Sequence, residues 1–364
     1  MTAKCSIENR FIGDGFPVFI VAELGSNHDG KLKQAKELID VAAEAGCDAV
    51  KIQVPVAAEC YPPGTKFGGH YGDVEITEVI RNNEIPPEWM PELVSYAHEK
   101  ELVIGASTDG FIGLEQMLQG GVDFIKIPSF ALSHIPLLKA CAKTGKPILL
   151  SSGSHRLASL EEAITAVCPL TPAVFHCVSA YPAPLDDLNL KTIPFLKEAF
   201  DIPIGFSDHS IHPTRGPTLA IALGANMLEK HYTLDRKLVG TDHFFALEPN
   251  ELKEMVSAAR RVECDPERKA CLLGDPDNAP LLGHIRRGIF DAEEAYHQRT
   301  RVSVYFLRAM REGQTIDAQD LRVLRCADTE PGLHPRYLDL VVGCKLTRDA
   351  VAYEGLTWDH VLSR

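Results

Sequence analysis

No apolar run in the chain approaches the ~20 residues needed to cross a bilayer. Its opening stretch, MTAKCSIENRFIGDG, has no apolar core of the kind found in secretory leaders. The expectation is a cytoplasmic protein with no membrane partner. Basic excess is missing as well. A net charge of -13 excludes the positive surface that nucleic-acid binding requires. Any anionic ligand must therefore be caught by a local cluster of Lys, Arg or backbone N–H groups. The ten cysteines form no CxxC pair, so they read as reduced, mostly buried thiols, and their spacing gives little support to a thiolate metal site. Low-complexity tracts and repeats of fixed period are absent too.

What is present is ordinary for a globular chain: 364 residues, 45% hydrophobic and 24% charged, enough for one large domain and a small one. Short β-branched runs occur at 18–23, 48–53, 102–107, 123–128, 147–152, 173–178, 202–207 and 225–230. Each is apolar on both faces, as a parallel strand buried between layers would be. Helical patterns such as 31–46 and 159–167 alternate with them, and Gly46, Gly121, Gly145 and Gly224 stand where helix C-caps belong. Eight strand–helix units predict an α/β fold, a closed (β/α)8 TIM barrel. The rival is a doubly wound open sheet, which would normally carry a Gly-rich turn after its first strand. The turn here, ELGSNHDG, has no GxGxxG. The Gly- and Pro-rich segment 61–76 reads as a substrate lid. The barrel is expected over 1–263, a polar connector over 264–299, and a small mixed-β domain over 300–364.

Active sites of such barrels lie at the carboxyl ends of the strands. The polar residues there include Glu23, Gln53, Thr108, Ser129, Ser151, Ser179, Tyr181, Ser207, His209 and His231, with Asp242 in the loop beyond. A single Ser or Thr at a strand end has a bland explanation, because strands end where solvent begins. Lys51 and Lys126, inside otherwise apolar strands, are harder to dismiss, since a buried ammonium needs an anion. They are either structural ion pairs with barrel carboxylates or a clamp for phosphate and carboxylate groups, assisted by the hydroxyls. His209 and His231 end adjacent strands. They are either hydrogen-bonded structural histidines or joint ligands of one divalent cation with open coordination positions.

The ordered segments IVAELGSNHDGKLKQAKELIDVAAEAGCDAVKIQ (20–53), IKIPS (125–129), TGKPILLSSG (144–153), HCVSAYPAP (176–184), GFSDHS (205–210) and EKHYTLDRKLVGTDHFFALEPNEL (229–252) resemble those of the sialic acid (nonulosonic acid) synthases. The segment 302–325 resembles the antifreeze-like, or SAF, domain that follows the barrel in that family. The resemblance implies condensation of phosphoenolpyruvate with an open-chain amino-sugar aldehyde, such as N-acetylmannosamine or a related acetamido hexose. The products would be a nine-carbon 2-keto-3-deoxy acid and phosphate. By resemblance, phosphoenolpyruvate falls to Lys51, Thr108, Lys126, Ser129, Ser151, Ser179 and Ser207, and the sugar to Glu23, Gln53, Tyr181, Asp242 and Arg325. Catalytic roles fall to Glu23, Lys51, Lys126 and Asp242. A divalent metal, Mn2+ or Mg2+, falls to His209 and His231. Arg325 would enter the site of a partner subunit, in a domain-swapped homodimer.

Two departures from the family pattern stand out. The usual Ser-Gly-Glu is Ser129-Phe130-Ala131 here, and the usual Ser-Thr-Pro-Phe is Ser107-Thr108-Asp109-Gly110. One carboxylate is lost and another has appeared. The alternatives are a synthase acting on a sugar phosphate, and a carbohydrate-binding homologue without catalysis. Glu229 and Lys230 are expected to form an ion pair inside the barrel.

Overall fold

The computed structural model describes residues 4–66 and 74–362. Residues 67–73 of the expected lid lie outside the described residues. A hairpin of β1 (Cys5–Ile7) and β2 (Arg10–Ile12) precedes eight parallel strands. These are β3 (Phe19–Gly25), β4 (Ala49–Gln53), β5 (Val103–Ser107), β6 (Phe124–Ile127), β7 (Ile148–Ser151), β8 (Ala173–Cys177), β9 (Ile204–Asp208) and β10 (Met227–His231). Because β10 pairs with both β9 and β3, the sheet closes into a barrel. The fold is therefore the predicted (β/α)8 barrel, with a small antiparallel unit after it.

Outside the barrel run α1 (Leu32–Ala45), α2 (Ala57–Cys60), α3 (Ile76–Arg81), α4 (Trp89–Glu99), α5 (Phe111–Gly120), α6 (Ile135–Lys143), α7 (Leu157–Ala166), α8 (Thr192–Phe200), α9 (Arg215–Ala222) and α10 (Pro249–Glu263). Their packing follows the periodicity of the sequence. In α1, Ala35, Leu38, Ile39, Ala42 and Ala45 form one buried stripe. The helix stops at Gly46, whose φ of 80° lets its N–H turn back to the Ala42 and Ala43 carbonyls. None of the helices among the described residues is long and apolar enough to cross a membrane.

Alternation along the strands places the site. Inward side chains of a barrel stack in layers. The lowest layers contain Phe19, Val21, Ala49, Val103, Phe124, Leu149, Phe175 and Met227, and Cys5, Ile7 and Ile12 of the hairpin pack against them. Two residues further along the same face stand Glu23, Lys51, Lys126 and Glu229, all buried. An apolar plug thus supports a charged floor.

The stretch 264–299 is more than a link. It contains α11 (Pro266–Gly274) and α12 (Ala279–Leu282), and leads into α13 (Glu294–Thr300). Leu190 and Lys191 donate their N–H groups to the carbonyls of Leu281 and Leu282, tying the segment to the barrel wall. The small domain pairs β11 (Val302–Phe306) antiparallel with β12 (Leu321–Arg325), and α14 (Leu338–Val341) follows. Val304, Phe306, Leu321, Val323, Val341 and Leu356 belong to its core.

Candidate active site

A cavity of about 560 Å³ opens at the carboxyl ends of the strands, lined by every one of the predicted site residues. Register explains the assembly of its floor. Glu23 stands level with Lys51 on β4 and with His231 on β10, and Glu229 level with Ser207 on β9. Glu23 forms a short ion pair with Lys51 and accepts from Gln53 Nε2 at 3.2 Å. Lys126 Nζ donates to both oxygens of Glu229, at 2.7 and 2.8 Å, and Ser207 Oγ donates to Glu229 at 2.9 Å.

Environment separates the two carboxylates. Burial raises Glu23 to about 7; Lys51 opposes this, while the charge of Glu229 adds to it. Burial also pushes Glu229 up, but Lys126 and then Lys51 outweigh it and hold it near 2. Glu229 is thus the fixed counter-charge. Glu23 is the floor carboxyl that holds its proton more tightly than usual. The sequence places Glu23 and Asp242 in the site; a structural ion pair is all it assigns to Glu229. Its signal was available, because it lies two residues before His231 on the inward face of the same strand.

The expected Glu229–Lys230 pair is corrected. Neighbouring residues on a strand face opposite sides, so the two cannot meet inside the barrel. Lys230 instead binds Asp208 at 2.6 Å and the Ser210 carbonyl at 2.5 Å. Asp208, which directly precedes His209, is thereby committed to a structural lysine.

On one flank lie the hydroxyls of Thr108, Ser129, Ser151, Ser179 and Ser207. Ser129 Oγ accepts from the Gly153 N–H at 3.1 Å. A Cβ at Gly153 would stand 2.3 Å from Ser179 Oγ and 2.9 Å from Ser129 Oγ, so glycine lets the backbone approach both hydroxyls. Ser179 Oγ is buried and has no hydrogen-bond partner among the described residues.

The histidines adjoin Ser207, whose Oγ lies 3.4 Å from His209 Nε2, and their ring centroids are 5.9 Å apart. His209 Nδ1–H donates to the Val178 carbonyl at 2.7 Å, which leaves the Nε2 lone pair available. His231 Nδ1 is buried without a hydrogen-bond partner and lies 3.7 Å from Asp242 Oδ2. Burial lowers His209 to about 4 and drives His231 well below its ordinary value, so both rings are neutral at pH 7, as ligation requires. The described residues hold no group of three or more His, Cys, Asp or Glu side chains arranged for a metal ion. Two imidazoles suit a cation that takes its other ligands from water and substrate.

Arg325 enters from β12. It donates to Asp109 Oδ1 at 2.5 Å and to the Tyr61 hydroxyl at 2.9 Å, and its guanidinium lies 3.8 Å from the Phe130 ring centroid. Two departures from the family pattern, Asp109 and Phe130, thus meet on one arginine. Ala131 is simply a buried apolar contact. In this single chain Arg325 reaches the cavity of its own barrel. Arg322 Nη1 reinforces that placement by donating to the Ala58 carbonyl at 3.0 Å. Tyr296 on α13 was also missed; its ring packs 5.6 Å from that of Tyr181, which packs 4.3 Å from His209. No motif marked it, because its role depends on how the connector folds back.

The chain is similar to known proteins over the barrel and the small domain. The NeuB family matches residues 38–268, and the SAF domain matches 301–362. The chain is 39% identical to the spore coat polysaccharide biosynthesis protein SpsE of Bacillus subtilis, covering 99% of this chain and 98% of that protein. It is 31% identical to an N,N'-diacetyllegionaminic acid synthase of Legionella pneumophila, with 96% of each covered. The crystal structure of the Bacillus subtilis protein superposes with a TM-score of 0.86 over 100% of both chains, at 36% identity. That of an N-acetylneuraminic acid synthetase from Leptospira borgpetersenii gives 0.66 at 33% identity, covering 76% of this chain and 92% of that one. With a family match over more than half its length and a SAF domain after the barrel, the chain belongs to the NeuB family.

Proposed function

We propose that this protein condenses phosphoenolpyruvate with the open-chain aldehyde of an acetamido hexose, giving a nine-carbon 2-keto-3-deoxy acid and phosphate. That it is an enzyme of the carbon–carbon bond-forming synthases follows from its family. The observation that carries the specific reaction is one cavity that brings together two lysines, five hydroxyls and two neutral imidazoles.

Lys51 and Lys126 meet the phosphate and carboxylate of phosphoenolpyruvate, and the hydroxyls orient it. Carbon 3 attacks the aldehyde carbon, and the aldehyde oxygen takes a proton. Cationic character at carbon 2 is met by water, and the resulting tetrahedral centre expels phosphate to leave the ketone. Glu23 is the proton-exchanging group of the floor. A divalent cation, Mn2+ or Mg2+, held by His209 and His231 would polarise the aldehyde oxygen.

The acceptor is read as neutral. Beyond the two floor lysines, the one cationic side chain lining the described cavity is Arg325, already matched by Asp109. An acceptor phosphate would find no spare cation there. The wall around Arg325 is formed by Tyr61, Ile76, Phe130 and Tyr296, which suits acetamido methyl groups.

Phosphate release separates the readings. The purified protein with Mn2+ should release phosphate from phosphoenolpyruvate with N-acetylmannosamine or a 2,4-diacetamido hexose. It should be silent with N-acetylmannosamine 6-phosphate and arabinose 5-phosphate, and chelation should abolish turnover. Turnover only with the sugar phosphates would sink the neutral-acceptor reading. Silence with every sugar would favour a binding protein.

A further inference from the structure

The segment between barrel and small domain contains the largest fully buried side chain among the described residues, Arg286, and its partner Glu293. Arg286 grips the carboxylate with both terminal nitrogens, Nη1 to Oε2 at 2.7 Å and Nη2 to Oε1 at 3.0 Å. Such a pair is a costly way to fill space, since desolvation offsets much of the attraction, and apolar residues of similar volume often serve as well. The other contacts of the pair show what it holds.

Glu293 Oε1 accepts the N–H groups of Ser154 and Ser179, each at 2.9 Å. Arg286 Nη2 donates to the Cys177 carbonyl at 2.8 Å. The pair thus pins the loops that leave β7 and β8, which carry Gly153 and the cavity-lining Ser179. Ser154 is held from both sides. Its φ of 56° is left-handed, a conformation a non-glycine residue keeps only when its surroundings enforce it. Its N–H goes to Glu293, and its carbonyl accepts from His297 Nδ1 at 2.9 Å. Immediately before it, Gly153 donates to Ser129. Ser179, whose backbone is fixed by Glu293, leaves its hydroxyl unpartnered at the cavity wall.

We propose that Glu293, with its charge balanced by Arg286, is a positioning residue that sets the phosphate-side hydroxyls of Ser129 and Ser179 for the enol phosphate. It touches no substrate. It acts through two backbone amides, and Arg286 keeps the carboxylate from repelling the anion bound beyond them. The inference rests on the proposed placement of phosphoenolpyruvate at this flank. It also assigns a role to a polar segment that otherwise reads as a spacer.

The test uses the full-length protein and measures equilibrium binding of phosphoenolpyruvate and of inorganic phosphate, without acceptor. Glu293→Gln should weaken both by about tenfold, because the NH2 group of the glutamine would face the Arg286 guanidinium and push the remaining carbonyl oxygen off the two amides. The KM for the acceptor should change by less than about twofold, within ordinary scatter for an untouched subsite. A purely electrostatic role predicts the opposite sign, because removing a negative charge beside an anion site would tighten binding. Unchanged or tighter binding in Glu293→Gln therefore overturns the proposal.

If that variant does not fold, the double variant Arg286→Met, Glu293→Leu keeps the volume and removes both charges. Once folded, it should show the same loss, and wild-type affinity in it overturns the proposal. A wild-type protein that binds neither probe overturns the phosphoenolpyruvate reading, and this inference with it. Wild-type binding that neither variant alters overturns the positioning role alone.

Discussion

Glu23 and Glu229 occupy one layer of the barrel, yet their neighbours drive them in opposite directions. The raised value of Glu23 gives a pH dependence with a definite sign. The ionised form predominates only above about pH 7, so kcat/KM should rise through an acid limb near neutrality. Glu229→Gln removes a like charge and should move that limb to lower pH, measured as the pH profile of kcat/KM. A limb that stays in place assigns it to another group. For folding, the linkage runs the other way. A carboxyl raised in the folded state contributes stability below its unfolded value and loses it as pH rises through about 7. Residue types in the sequence marked Lys51, Lys126, Glu23 and both histidines as candidates. Whether each lysine served structure or substrate was not legible, and in the folded chain Lys51 rests on Glu23 and Lys126 on Glu229.

Strands and helices were the most legible level. Uninterrupted apolar runs identify strands covered on both faces, and eight alternations leave little choice but closure. Segment 264–299 was the least legible, since hydropathy cannot show that a polar pair such as Arg286 and Glu293 is buried. Packing inside the barrel makes a further prediction. Gly105 on β5 lies level with Phe124 on β6, and a Cβ there would stand 2.2 Å from the ring. Gly105→Ala should therefore cost about 1–3 kcal/mol by overpacking, measured by denaturant titration. An unchanged midpoint would show that the ring has room to move.

In the molecule as a whole, the small domain lies against its own barrel, with Arg322 on the Ala58 carbonyl and Arg325 on Asp109. Arg325, Tyr61 and Asp109 complete the cavity within one chain. Mixing Arg325→Ala protein with Lys126→Ala protein should therefore yield no more activity than the two give separately, measured as phosphate release. Recovery through mixed assemblies would show that arginines are exchanged between subunits.

The sequence by itself determined the barrel, the small domain after it, and the kinds of side chain at the strand ends. Periodicity and residue chemistry are local properties, readable along the chain. Tertiary structure alone decided which charges meet. Glu229 pairs with Lys126 from across the barrel, Lys230 turns away to Asp208, Arg325 meets Asp109, and Glu293 reaches the loops of β7 and β8. Partner choice between buried charges depends on strand register and on where distant segments return, and neither is written in local sequence.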